Sequence, residues 1–220
     1  MREAWTAAYS SARGEIDSCE LEIEGTLPPT LRGTLFRNGP GNFERGGVRY
    51  KHVLDGDGYV CAFAIDGPRS RARFSSRFVR TPYFKAEAEA DAVLFRNTFG
   101  TQPDHGNAFN LQLKHPANTN VQSWGGQLYA LWEAGLPIRM NPETLASEGM
   151  DDLGGVLRGP TGEAASGLTL STGVERIDRA AGLAQGFTAH PHIDVRRLGP
   201  APSPAPPRAR PCPSVPIGAH

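Results

Sequence analysis

Two histidines placed two residues apart are the first candidates for chemistry in this sequence. His190 and His192 lie in the segment Thr-Ala-His-Pro-His-Ile-Asp. On a β-strand, side chains two residues apart point to the same face, so the two imidazoles could bind one metal ion together. Such a run is more often an incidental polar patch, and the spacing alone leaves both interpretations open.

A carboxylate at the end of an apolar run is the second candidate. Glu133 directly follows Ala-Leu-Trp. Because burying a carboxylate without a partner is costly, Glu133 is expected either to be exposed at the end of a strand or to accept a hydrogen bond. An imidazole N–H is a suitable donor for that bond. Asp55 and Asp57 are assigned to turn formation, because an EF-hand cation loop needs more carboxylates than this segment contains.

The elements that would position these residues are predicted to be mainly β-strands. At residues 19–24, apolar residues alternate with glutamates, which predicts a strand with one dry face. The Asp-Gly-Asp-Gly run at residues 55–58 lies between two β-rich stretches, residues 48–53 and 59–65. Because glycine tolerates the positive φ of a tight turn, this arrangement predicts a hairpin.

Further along the chain, Gly125-Gly126 predicts a second hairpin between residues 121–124 and 128–132. Residues 85–95 are rich in alanine and glutamate, which predicts a helix. Residues 159–182 are rich in small residues, which is typical of a long surface loop or lid. Many short strands separated by turns indicate an all-β sandwich, barrel or propeller, and the periodicity does not choose among these.

Composition narrows the function classes. The chain has 220 residues, with 23 basic and 23 acidic side chains, so its formal charge is zero. A nucleic-acid partner is therefore not expected, because binding by counterion release needs a basic surplus. No phosphate-binding glycine loop or Gly-x-Ser-x-Gly elbow occurs. The sequence shows no secretory signal and no membrane span, and three widely spaced cysteines favour a reducing compartment, cytoplasmic or plastid.

Proline usage divides the chain into two parts. Eleven prolines lie in residues 1–195 and eight in the last 25 residues. Because proline removes backbone donors and fixes φ, residues 196–220 are predicted to form a Pro-rich tail that is disordered or frame-shifted. Residues 1–195 are predicted to form the folded domain.

The order of several short motifs carries more information than any one of them. They resemble, in order and at similar spacing from about Glu20 to Asp194, the carotenoid cleavage oxygenase family. The motifs are Glu24-Gly25-Thr26-Leu27-Pro28, Arg37-Asn38-Gly39-Pro40, Leu54-Asp55-Gly56-Asp57-Gly58, Arg77-Phe78-Val79-Arg80-Thr81, Ala117-Asn118-Thr119-Asn120-Val121, Ala130-Leu131-Trp132-Glu133, Asn141-Pro142-Glu143-Thr144-Leu145 and Thr188-Ala189-His190-Pro191-His192-Ile193-Asp194.

The resemblance implies an all-β fold, a seven-bladed β-propeller with a loop and helix cap, of which this truncated chain holds the N-terminal blades. It also implies a non-haem Fe(II) centre on the propeller axis, held by four histidines. Such enzymes add O2 across a conjugated carbon–carbon double bond of a carotenoid or apocarotenoid and release two carbonyl products. Similar enzymes can contact a membrane peripherally through an apolar patch on the cap.

By resemblance, His190 matches the first iron-ligand histidine, and His192 falls where the family is usually basic, so it is not expected to be a ligand. Glu133 matches a carboxylate that, in similar proteins, accepts a hydrogen bond from a later ligand histidine. Stilbene-cleaving relatives tend to have lysine where Trp132 stands, which favours a polyene substrate.

The sequence departs from the family after Asp194. The other three ligand histidines of the family follow the His190 motif, and here only His220 does. His52, His105 and His115 precede it and match no ligand motif. We therefore predict a shifted reading frame or mis-spliced end and an inactive chain. The alternative is a non-catalytic fragment or a binding protein that lacks iron.

Overall fold

The computed structural model describes residues 9–103, 113–155, 157, 189–191 and, for the backbone alone, 210–211. Within these residues the chain is built mainly of β-strands, with a single α-helix. The strands are β1 (Ile16–Leu21), β2 (Arg32–Asn42), β3 (Glu44–Arg45), β4 (Val48–Arg49), β5 (Asp57–Asp66), β6 (Arg71–Phe78), β7 (Asn120–Trp124), β8 (Gln127–Leu131), β9 (Ile138–Met140), β10 (Ser147–Met150) and β11 (Arg210–Pro211). The helix, α1, spans Pro82–Ala90.

A five-stranded sheet in the order β11-β1-β6-β5-β2 forms the first half of the fold. Its longest pairing joins β2 to β5 antiparallel, with a bulge between Pro40 and Asn42. The predicted strand at residues 19–24 begins earlier than expected, at Ile16, and ends at Leu21. In the predicted tail, Arg210 pairs parallel with Cys19.

The second half is a four-stranded antiparallel meander in the order β10-β9-β8-β7. Its β7–β8 hairpin turns at Gly125 and Gly126, both with positive φ, as the sequence predicted. The main core contains buried side chains from both sheets and from their connections: Val60, Ala62, Val79, Ala117, Leu128, Ala130, Ile138, Met140 and Leu145. Burial of this set holds the meander against the first sheet.

The hairpin predicted around residues 55–58 is wrong. Strand β5 pairs with β2 and β6, and β4 pairs with β3. Residues 53–55 form a 3-10 turn before β5. Gly58 is required by close packing rather than by a positive φ, because a Cβ built on it would lie 2.2 Å from the Ala117 carbonyl oxygen. This glycine lets the chain before β7 cross the start of β5.

Helix α1 lies near the predicted position but has different ends. It starts at Pro82, because Thr81 caps it by accepting the Phe84 N–H at 3.0 Å and proline suits the first helical position. It ends at Ala90, where Asp91 takes a left-handed conformation with φ 44°. Among the described residues, no helix is long and apolar enough to cross a membrane. The predicted loop at residues 159–182 lies outside the described residues.

Candidate metal site

Strand β8 carries Glu133 to the candidate site. The strand ends at Leu131, and the chain then turns through residues 133–134. Leu131 and the neighbouring Leu128 and Ala130 are buried, whereas the side chain of Glu133 is 58% exposed. The carboxylate therefore stands at the end of a buried strand and remains accessible, which is the exposed alternative foreseen from the sequence.

His190 lies opposite Glu133, and the two predicted site residues are thus brought together. The His190 Nε2 is 3.8 Å from the Glu133 Oε1, and the His190 side chain is 70% exposed. This distance is too long for a hydrogen bond. The two side chains form an ion pair only if the imidazole is protonated. Residues 189–190 form a bend rather than a strand. His192, His105 and His220 lie outside the described residues.

Among the described residues at this site, His190 could supply one ligand to a metal ion. An exposed imidazole is a suitable ligand for iron, cobalt or zinc. Within residues 9–103, 113–155, 157 and 189–191, however, no group of three or more His, Cys, Asp or Glu side chains could hold a metal ion. Because a single imidazole supplies only part of the affinity, His190 would hold such an ion weakly on its own.

His115 is buried and supports the turn that carries Glu133. Its Nδ1 accepts the Ala117 N–H at 3.1 Å, so its Nε2 carries the proton and donates to the Leu136 carbonyl at 2.8 Å. Burial lowers the pKa of this imidazole to about 4, against an ordinary 6.5. The ring also lies 5.1 Å from that of Trp132. His115 therefore contacts Trp132 and Leu136, which lie on either side of Glu133 in the chain, and no sequence motif indicated these contacts.

Three asparagine side chains join β7 and the segment before it to other parts of the chain. The Asn38 Nδ2 donates to the carbonyls of Ala117 and Asn120, each at 2.8 Å. The Asn118 Nδ2 donates to the carbonyls of Leu54 and Gly56, just before β5, and the Asn120 Nδ2 donates to the Ala189 carbonyl at 2.8 Å. Asn38, Asn118 and Asn120 belong to motifs that the sequence indicated, but their partners are backbone atoms that no local pattern reveals.

A buried ion cluster joins β5 to helix α1 and to the segment before β7. The Lys114 Nζ lies 2.6 Å from the Asp57 Oδ1 and 2.7 Å from the Glu87 Oε2, and all three side chains are buried. Lys114 also donates to the Tyr50 hydroxyl at 3.1 Å. The paired carboxylates hold the pKa of Lys114 above its ordinary value despite burial, and burial raises the pKa of Tyr50 to about 12.

The buried contacts of Asp57 and Asp55 correct their assignment to turn formation. Asp57 also accepts hydrogen bonds from Asn42 and Arg45. Asp55 is buried and accepts the backbone N–H groups of Phe99 and Thr101 at 2.8 and 3.0 Å. Both carboxylates anchor distant segments, because each faces the protein interior.

Comparison with known proteins gives a consistent result. The family model described as retinal pigment epithelial membrane protein matches residues 9–199. The chain is 47% identical over 156 residues to apocarotenoid-15,15'-oxygenase of Synechocystis, a match covering 70% of this chain and 32% of that protein. It is 36% identical to the chloroplastic carotenoid cleavage dioxygenase 7 of Oryza sativa, over 67% of this chain and 26% of that protein.

Solved structures agree with the fold. The crystal structure of cobalt-substituted Synechocystis apocarotenoid oxygenase matches with a TM-score of 0.68 and 45% sequence identity, over 71% of this chain and 33% of that chain. The predicted all-β class, as part of a β-propeller, is thus confirmed. The present chain spans between about a fifth and a third of the length of the curated relatives it matches.

Proposed function

Because this chain belongs to the retinal pigment epithelial membrane protein family, which includes the carotenoid cleavage oxygenases, we propose that it carries part of the active site of such an oxygenase. The reaction is oxidative cleavage of a conjugated C=C bond of a carotenoid or apocarotenoid by O2, giving two carbonyl products. The observation that carries this proposal is the approach of His190 to Glu133, with 3.8 Å between Nε2 and Oε1.

In this proposal His190 is the first imidazole ligand of a non-haem Fe(II) ion. The ion, when bound, supplies the site at which O2 reacts with the polyene. Neutral imidazoles leave its positive charge intact, which suits O2 chemistry. Glu133 is the carboxylate that accepts the N–H of a ligand histidine and so fixes the ring orientation. His115 supports the turn after Glu133 by donating to the Leu136 carbonyl.

The substrate class follows from two kinds of support. Two of the relatives, those of Synechocystis and Oryza sativa, are named for apocarotenoid or carotenoid cleavage. Trp132 stands beside Glu133, where stilbene-cleaving relatives tend to have lysine. Its ring packs near the buried imidazole of His115, so this position presents an aromatic surface rather than a charge. We infer that the site accepts an apolar polyene.

These 220 residues on their own are proposed to be inactive. The described part of the chain contributes one imidazole and has no cluster of three metal-binding side chains. One histidine binds iron weakly, since each ligand supplies only part of the affinity. A second candidate function, which needs no iron, is binding of a polyene without cleavage.

Two measurements on the purified chain separate these functions. Iron content after anaerobic loading and dialysis gives the stoichiometry, and loss of visible absorbance of an apocarotenal under air reports cleavage. We expect far less than one iron per chain and no bleaching. One tightly held iron per chain with O2-dependent bleaching would overturn the inactivity, whereas saturable binding without iron or bleaching would support the second function.

The coding sequence offers an independent test of the larger proposal. Translation of the two other reading frames downstream of Val195 should yield strand patterns and further histidine motifs if the end of the chain is frame-shifted. If neither frame contains them, the frame-shift hypothesis is wrong. The family membership would stand in either case, because it rests on residues 9–199.

A further inference from the structure

Asn120 is bonded to both halves of the His190–Glu133 pair. Its main chain pairs with that of Leu131 across the β7–β8 hairpin, and Leu131 lies two residues before Glu133. Its side-chain Nδ2 donates to the carbonyl of Ala189 at 2.8 Å, and Ala189 directly precedes His190. One residue thus connects the segments that carry the imidazole and the carboxylate.

The orientation of the Asn120 amide is fixed at both ends. Its Oδ1 accepts the Val121 N–H at 2.8 Å, so the Nδ2 must be the end that faces Ala189. Its own carbonyl accepts the Asn38 Nδ2 at 2.8 Å, which links it to strand β2 of the other sheet. Turning the amide over would therefore replace two good hydrogen bonds with two repulsive contacts.

Ala189 is the point at which this support reaches His190. Its side chain is fully buried and packs in a small apolar cluster with Tyr129 and Leu131. Its carbonyl is held by Asn120 on the polar side. The next residue, His190, is mostly exposed. Apolar packing and a hydrogen bond thus fix the backbone at Ala189, the residue directly before the exposed imidazole of His190.

We propose that Asn120 is a positioning residue that sets the distance between the His190 imidazole and the Glu133 carboxylate. It acts through the Ala189 carbonyl and does not touch the metal or the substrate itself. The inference rests on the proposed function only in treating His190 as a metal ligand. The spacing that Asn120 controls is a property of the chain and can be measured without iron or activity.

A two-histidine site provides a direct measure of that spacing. The variant Glu133→His places a second imidazole opposite His190, and two neighbouring imidazoles bind Ni2+. Calorimetry with NiCl2 on the tag-free chain should show tighter Ni2+ binding for Glu133→His than for the natural chain. Adding Asn120→Asp, whose carboxylate cannot donate to Ala189, should weaken Ni2+ binding by about 10-fold or more, as for other residues that orient metal ligands.

Asn118→Asp in the same Glu133→His background is the matched control. Asn118 lies two residues away and also donates to backbone carbonyls, but those belong to Leu54 and Gly56 rather than to the His190 segment. It should leave Ni2+ affinity unchanged. Urea unfolding checks that each variant is folded, and Asn120→Ala replaces Asn120→Asp if the latter is not.

Three results would overturn the proposal. These are Ni2+ affinity unchanged by the Asn120 variants, equal weakening by Asn118→Asp, or no gain in affinity from Glu133→His. None of them bears on the oxygenase proposal, which the iron and bleaching measurements test separately. Conversely, an inactive or iron-free chain leaves the Ni2+ result intact, so the two proposals fail independently.

Discussion

Lys114 gives the largest stability effect that the structure predicts. Replacing it with methionine keeps the length of the side chain and removes the cation shared by Asp57 and Glu87, whose oxygens lie 2.6 and 2.7 Å away. Because all three groups are buried, the variant leaves the Asp57 and Glu87 carboxylates buried with little compensating positive charge. Such losses cost about 3–5 kcal/mol. The remaining Arg45–Asp57 contact at 3.2 Å keeps the expected value near the middle of that range.

Urea unfolding followed by circular dichroism measures this effect. With a slope of about 2 kcal/mol per molar urea, a loss of about 4 kcal/mol lowers the midpoint by about 2 M. Arg139→Met is the matched control, since its pairs with Glu148 and Asp151 are at the surface and should contribute at most about 1 kcal/mol. A Lys114→Met loss no larger than that of Arg139→Met would refute the reasoning.

Three further predictions concern the residues around the site and the helix. Because the folded pKa of His115 is about 4 against 6.5 when unfolded, the unfolded state binds more protons between these values. The free energy of unfolding should therefore fall by up to about 3 kcal/mol as the pH drops from 6.5 to 4. The fall should be smaller in His115→Gln, and the same dependence of unfolding free energy on pH in both proteins would contradict this. Gly135→Ala should cost about 1–3 kcal/mol in urea unfolding, because its Cβ would lie 2.1 Å from the His115 ring, whereas Gly39→Ala, with open space around it, should not. Thr81→Ala should lose about 1 kcal/mol, since it removes the cap on the Phe84 N–H, and an unchanged unfolding midpoint would show that the cap contributes nothing.

The features predictable from the sequence are those set by local patterns. The hairpin at Gly125-Gly126 is correct, because two glycines with positive φ and flanking alternation specify it within a dozen residues. Helix α1 was foreseen, but its start was not, although Thr81-Pro82 is a readable cap signal.

The features that the sequence did not reveal depend on distant partners. The run at residues 55–58 has the composition of a tight turn, yet Asp57 faces Lys114 from far along the chain. His115 and Asn120 act on backbone carbonyls of other segments, and no residue spacing encodes such contacts. The candidate site was anticipated through family resemblance, and its two residues do lie together. Their supporting residues became visible only when the strands were placed.

Crystals of the 220-residue chain soaked with millimolar cobalt, with data collected at the cobalt absorption edge, test the central claim most directly. We predict an anomalous peak about 2.1 Å from the His190 Nε2. Cobalt bound at other side chains, with none at His190, would contradict the assignment of this imidazole as a metal ligand.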